Sequence, residues 1–249
     1  PGGSPNEYLV YPIAVSAKRG QTLEGLIIND NYVEYSDTQV PIGGSGGIMG
    51  NPILGQYADH AWFRYYDGTQ TVADPLMMAR LADYPERPWT SSMIGKGICY
   101  IILVFKYNRE IFSQPPSVRM ELSGIPLYDP RKDSSVGGSG AHRWNDQSTW
   151  EPSANSGVQI YNIHRGIPME DGSKWGGEAK AADLPFDNWV AAMNICDQDV
   201  TLEGGGTEKR YESGLEISLS DQPANVMEAL ENACLAQQVQ SGGVWKIRI

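Results

Sequence analysis

Apolar and polar residues alternate with a period of two along much of the first half of the chain. Residues 7–17 place Tyr8, Val10 and Pro12 on one side and Leu9, Tyr11 and Ile13 on the other. This predicts a strand pair, or one long strand with Pro12 at a sheet edge. Leu23, Leu26, Ile27 and Ile28 are separated from Tyr32, Val33 and Tyr35 by Asn29-Asp30-Asn31, which predicts two strands joined by a turn. The aromatic run 61–66, closed by Asp67-Gly68, predicts a further strand, and residues 98–107 and 118–122 two more. Asp74 as N-cap, Pro75 in the first turn, and Leu76, Met77, Arg80 and Leu81 predict a short helix over 75–81. Residues 41–52, which include Gly43-Gly44-Ser45-Gly46-Gly47, are expected to form a flexible loop.

The period changes after residue 150. Val158, Tyr161 and Ile163 mark one face of a short helix over 154–163, and Trp189, Val190, Met193 and Cys196 one face of a helix over 184–196. A Gly-rich turn over 201–206 leads to a strand over 210–219. Ser220-Asp221-Gln222-Pro223 starts a helix carrying Val226, Met227, Leu230, Ala233 and Cys234 through residues 225–237. Gly242-Gly243 turns into a last strand over 244–249. The predicted class is α+β with strands dominant. Residues 1–122 form a β-rich part. Residues 123–249 form an irregular loop followed by helix–strand–helix–strand, completing the same domain or making a second.

The 249 residues are enough to bury a sizeable core. The formal charge of −11 argues against general nucleic-acid binding, which needs a basic footprint to replace counterions. Lys209-Arg210 is the nearest approach to one. The three cysteines, Cys99, Cys196 and Cys234, lack metal or redox spacing and read as reduced thiols packed as small hydrophobes. That usage suits assembly in a reducing cytoplasm. No run reaches the ~18 apolar residues of a membrane span. The chain opens on Pro1 and closes on a strand, so it is expected to be a piece of a longer protein.

The stretch 127–150 concentrates the candidate chemistry: Asp129-Pro130-Arg131, a Gly137-Gly138-Ser139-Gly140 run, His142, Trp144 and Trp150. A phosphate cradle, a catalytic constellation and a structural tie are all open to such residues. Neither Gly-rich run ends in the Gly-Lys-Ser/Thr of a P-loop. His60, His142 and His164 lack metal-ligand spacing, and there is no Gly-x-Ser-x-Gly elbow. No cofactor is implied. A carboxylate pair at glycosidase separation could form in space, but no pair is singled out. The tie carries more weight. Pro130 fixes the backbone, Asp129 can accept from nearby amides, and Arg131 offers a planar fork of five donors. Trp144 and Trp150 would anchor the loop by burying aromatic area.

The order of four stretches resembles a known family. Leu127-Tyr-Asp-Pro-Arg131 is followed by Gly137-Gly-Ser-Gly-x-His142-Arg143, Asp146-x-Ser-Thr-Trp150 and Ser153-x-Asn155. With residues 97–107 (GICYIILVFKY), 189–214 and 225–247, this is similar to the tail-tip hub and host-specificity proteins of siphophages, prophages and gene transfer agents. The similarity covers about residues 57–249. Pro152, Gly157 and His164 make the stretch after Trp150 a weaker helix than the family has there, and members of the family continue beyond the closing hairpin. The resemblance implies tail-tube-like β-barrel or sandwich domains with inserted loops. It implies a non-enzymatic homotrimer at the virion tail tip, assembled in the bacterial cytoplasm. Its partners would be tail-tube and other tail-tip proteins and the tape-measure protein, with DNA only in passage. A tail-associated cell-wall hydrolase and a glycan-binding module, the latter suggested by 13 Tyr and 7 Trp, are the alternatives.

Overall fold

Residues 7–44, 47–112 and 114–249 are described by the computed structural model. The chain divides into two units, Pro1–Ser123 and Gly124–Ile249. The class is α+β, with strands outnumbering the four helices among the described residues.

The first unit contains β1 (Tyr8–Ser16), β2 (Leu23–Ile28), β3 (Asn31–Tyr32), β4 (Val40–Pro41), β5 (Met49–Pro52), β6 (Ala61–Asp67), α1 (Pro75–Leu81), β7 (Cys99–Lys106) and β8 (Val118–Leu122). An antiparallel sheet runs β1-β7-β6-β5-β4, and a second runs β3-β2-β8. Among the described residues neither sheet closes on itself. Seven of the eight β7 residues are buried, because both faces of this strand are covered. That is why its sequence is an unbroken apolar run. On one face Ile101, Leu103 and Phe105 share a core with Leu26 and Ile28 of β2, joining the two sheets. On the other face Tyr100, Ile102 and Val104 pack with Trp62 of β6 and with Leu76 and Met77 of α1.

Within residues 7–17, Tyr8–Ser16 thus form one strand at a sheet edge, where Pro12 is tolerated. The β2–β3 turn has φ of 48° at Asn29 and 63° at Asp30, the doubly left-handed turn that suits a two-residue hairpin. Asp74 is fully buried and caps α1, accepting from the Met77 amide at 2.8 Å. It also accepts from Arg64 Nε at 2.6 Å and the Tyr66 hydroxyl at 2.5 Å. The expected loop over 41–52 contains β5 and the end of β4; Ser45 and Gly46 of its glycine run lie outside the described residues.

The second unit contains β9 (Pro126–Leu127), β10 (Glu151–Pro152), α2 (Ser156–Arg165), β11 (Ile167–Pro168), β12 (Lys174–Trp175), α3 (Phe186–Cys196), β13 (Asp199–Thr201), β14 (Thr207–Lys209), α4 (Pro223–Cys234), β15 (Gln237–Ser241) and β16 (Val244–Arg248). Helix α2 is its centre, with nine of ten residues buried. Asn155 caps it: Oδ1 accepts from the Val158 amide at 3.1 Å, and Nδ2 donates to the Met193 carbonyl of α3 at 2.9 Å. Asn188 of α3 pins β16 through two bonds to Ile247, of 2.9 and 2.8 Å. The Trp189 indole donates to the Trp245 carbonyl at 3.0 Å.

Two expectations fail here. Residues 210–219 are not a strand; Glu212 makes one isolated bridge to Asn155, and the Ser213 amide bonds the Ala154 carbonyl at 2.8 Å. The segment straps the start of α2, and the hairpin forms earlier, between β13 and β14. The fourth helix stops at Cys234, because Leu235 takes a left-handed conformation (φ 55°). Residues 237–241 instead pair with β16 across Gly242-Gly243, whose φ values of 63° and 85° suit a tight hairpin. All three cysteines are buried and unbridged.

Candidate functional site

Residues 127–150 form a closed loop. Leu127 of β9 pairs with Glu151 of β10, so the loop leaves and returns at one point. Pro130 sets the first position of a single 3₁₀ turn, Pro130–Lys132, and Asp129 caps it by accepting from the Arg131 amide at 2.9 Å. The same carboxylate takes Arg131 Nε at 3.0 Å and Nη2 at 2.7 Å. The other arm of the guanidinium reaches the end of α3, bonding Asp197 at 2.6 Å and Asn194 at 3.1 Å. A cation is favoured there because the last carbonyls of a helix carry partial negative charge.

The glycine run lies against this turn. The Gly138 amide bonds the Asp133 carbonyl at 2.9 Å, Ser139 the Arg131 carbonyl at 2.8 Å, and His142 the Lys132 carbonyl at 2.9 Å. A Cβ on Gly138 would collide with the carbonyls of Pro130 and Arg131, and one on Gly140 would come within 2.5 Å of the Lys132 carbonyl. Glycine is therefore required for close backbone approach, and these amides are directed into the loop rather than towards an anion.

Three buried polar groups complete the loop. His142 Nδ1 accepts from the Asp129 amide at 3.0 Å, so the neutral ring is the form that fits. Burial lowers its pKa below the ordinary histidine value. Asp133 accepts from the Tyr128 hydroxyl at 2.8 Å, from the Ser135 amide and hydroxyl at 2.8 and 2.6 Å, and from Arg143 at 3.2 Å. Burial works against its ionisation, but the Ser135, Tyr128 and Arg143 interactions outweigh that and hold its pKa low. Tyr128 is pushed up, first by burial and then by its bond to Asp133. Its backbone amide and carbonyl both bond the Asn162 side chain of α2, at 3.0 and 2.8 Å.

Trp150 is buried and donates to the Arg143 carbonyl at 2.8 Å; Trp144 is half-buried. Both rings face the Arg165 guanidinium, at 4.4 Å for Trp150 and 4.5 Å for Trp144, with Tyr128 at 5.5 Å. Arg165 is only 6% exposed, and burial lowers its pKa to about 10. It donates to the Trp144 carbonyl, while Nε and Nη1 have no partner among the described residues. The cation is held chiefly by aromatic faces.

The structure thus brings Asp129, Pro130, Arg131, Trp144 and Trp150 into one loop and docks it on α2 and α3. The partners that sequence reasoning missed are Tyr128, Asp133, Asn162 and Arg165. Arg165 ends a helix, where a basic residue is unremarkable; only its position behind two tryptophans distinguishes it. The other imidazoles are elsewhere. His60 in the first unit bonds the Ala58 carbonyl at 2.9 Å and Asn108 at 3.0 Å, and His164 of α2 bonds Gln238. Among the described residues no group of three His, Cys, Asp or Glu side chains is placed to hold a metal ion, and no helix is long and apolar enough to cross a membrane.

Compared with known proteins, the chain matches no protein-family model and no curated protein.

Proposed function

We propose that the chain is a structural assembly protein, and more narrowly the hub part of a phage-type tail tip. The observation that carries the first step is the construction of the 127–150 loop. Its Asp, Arg, Tyr and His side chains bond one another and the helices beneath, as befits a rigid joint. The narrower step rests on the motif order over residues 127–155, 189–214 and 225–247, which resembles the tail-tip hub family. In that reading the packed sheets of the first unit are related to tail-tube barrel or sandwich domains. The chain closes the tail tube as a homotrimer and links it to receptor-binding fibre regions, next to the tape-measure protein. DNA meets it only on passage, and the net charge of −11 would keep phosphate from adhering to a lumen wall.

Immunogold labelling of intact particles from the encoding bacterium tests this. Label confined to the distal tail end is expected. Label on no particle, or scattered along the tail, would overturn the assignment. Clearing of peptidoglycan by the purified chain would move it to the hydrolase class.

A further inference from the structure

Helices α3 and α4 both end on a cysteine, and α2 packs against both helices. Cys196 and Cys234 are fully buried in the same core and unbridged. Their sulfurs hydrogen-bond to each other. The Cys234 S–H has a second acceptor in the Leu230 carbonyl, at 3.1 Å. Cys196 has a further donor, the Gly157 backbone amide. That amide lies in the first turn of α2, where backbone N–H groups have no partner within the helix. Gly157 also lets α3 come close, since a Cβ there would fall 3.2 Å from Met193 Cγ.

The chain between the two cysteines is a lobe with little core of its own. From residue 197 to residue 225 no residue is buried. The lobe contains the β13–β14 hairpin and the strap over 210–219, and the Tyr211 amide fastens it to the Cys196 carbonyl at 3.1 Å. Segments with few buried contacts open locally at low free energy, so lifting this lobe is the route by which a small solute reaches the pair.

We propose that Cys196 and Cys234 are a reversible oxidation site, at which hydrogen peroxide forms a disulfide that ties the end of α3 to the end of α4 and closes the base of the 197–233 lobe. The thiolate is the attacking form of cysteine. The Cys234 S–H, with the Gly157 amide, lowers the Cys196 pKa against the effect of burial, while the contact with Cys196 and then burial raise that of Cys234. The Cys196 sulfur therefore attacks one peroxide oxygen; the O–O bond breaks, leaving a sulfenic acid and one water. The Cys234 sulfur then attacks the Cys196 sulfur, the S–O bond breaks, and a second water leaves with the Cys234 proton. Two thiols are oxidised and one peroxide is reduced to two waters. The inference is independent of the tail-tip reading, because it uses only residues of the second unit.

The test is mass spectrometry of the whole folded chain after treatment with hydrogen peroxide. Loss of two hydrogen atoms is expected, with a proteolytic fragment joining Cys196 to Cys234 and full reversal by dithiothreitol. Cys99, which lies in the first unit and donates to the Lys18 carbonyl at 3.0 Å, should remain a thiol. The bond closes a loop of about forty residues, so the urea midpoint of the oxidised chain should rise by about 1–3 M. In Cys234→Ala the sulfenic acid has no resolving thiol, so dimedone should label Cys196; in Cys196→Ala it should leave Cys234 unlabelled. Both variants exchange a small buried side chain for a smaller one, and the parent chain's fragment map decides the matter even where a variant fails to fold. A disulfide that forms only in denaturant, a bond involving Cys99, sulfinic or sulfonic acids without a disulfide, or an unchanged or lowered urea midpoint would overturn the proposal.

Discussion

Removing the Arg131 side chain should destabilise the second unit by about 2–3 kcal/mol. Cutting one member from a buried ion pair generally costs about 3–5 kcal/mol, because the remaining charge is stranded. Two features reduce that figure here. The Asp129 carboxylate keeps its bond from the Arg131 backbone amide, and the Arg131 side chain is 18% exposed, so water can partly replace it. Five of the seven tryptophans belong to the second unit, so tryptophan fluorescence during urea unfolding reports mainly on it. At roughly 1–3 kcal/mol per molar urea, the midpoint of Arg131→Ala should fall by about 1–2 M. Asp129→Asn should cost less, and the double mutant should reveal a coupling of about 1.5 kcal/mol or more. Lys132 and Glu151 form an exposed pair in the same loop, so Lys132→Ala should change stability by no more than about 0.5 kcal/mol. The Arg131 effect should also persist in 0.5 M salt, since a buried pair is poorly screened. An Arg131→Ala midpoint within experimental error of the parent, or a loss abolished by salt, would refute the idea that this side chain ties the loop to α3.

Other outcomes follow from the same geometry. Gly138→Ala forces a methyl group against two carbonyls and should destabilise the second unit by about 1–3 kcal/mol in the same urea assay. Asp74→Ala removes the α1 cap and strands Arg64, and should lower first-unit stability by about 2–4 kcal/mol, read by hydrogen exchange at the Met77 amide. Burial lowers the folded-state pKa of His142 and His164, so the unfolded chain takes up protons first as pH falls below about 6.5. Stability should therefore be full above that pH and decline below it by at most ~1.4 kcal/mol per pH unit per histidine, levelling off beneath the folded values. His142→Gln should flatten the slope between pH 7 and 5.5, and an unchanged slope would contradict it. Arg165→Met should cost less than about 1 kcal/mol in urea or even stabilise, because the cation it removes has no carboxylate partner among the described residues.

The regular elements of the first unit were legible because each follows a local rule. Asp74-Pro75 announces its helix, Asn29-Asp30 its turn, and the apolar run from residue 98 its covered strand. The second unit was less legible where the deciding contacts are distant. The helix pattern runs on to Gln237; only the left-handed Leu235 and the pairing of residues 237–241 with β16 end it early and make this stretch a strand. Residues 210–219 look extended but are held by the start of α2, which no local pattern reveals. In the 127–150 loop the roles of Asp129 and Arg131 could be anticipated, since they bond each other at short range. Tyr128, Asn162 and Arg165 could not, because their contacts join the loop to a helix some thirty residues on.

The strand order of the first unit also fixes when the protein can fold. Tyr8 of β1 pairs with Lys106 of β7, and Leu23 of β2 pairs with Leu122 of β8. β1 must wait about a hundred residues for β7, and β2, which pairs at once with β3, waits as long for β8. At ~5–20 residues per second, translation leaves β1 and β2 without these partners for about 5–20 s after they emerge from the ribosome. During that interval β1 offers Leu9, Tyr11 and Ile13 with open backbone groups, the combination that recruits other unfolded chains. The nascent chain is therefore most at risk just before β7 appears. Pausing the ribosome there should increase aggregation or chaperone capture, whereas a pause after β8 should not.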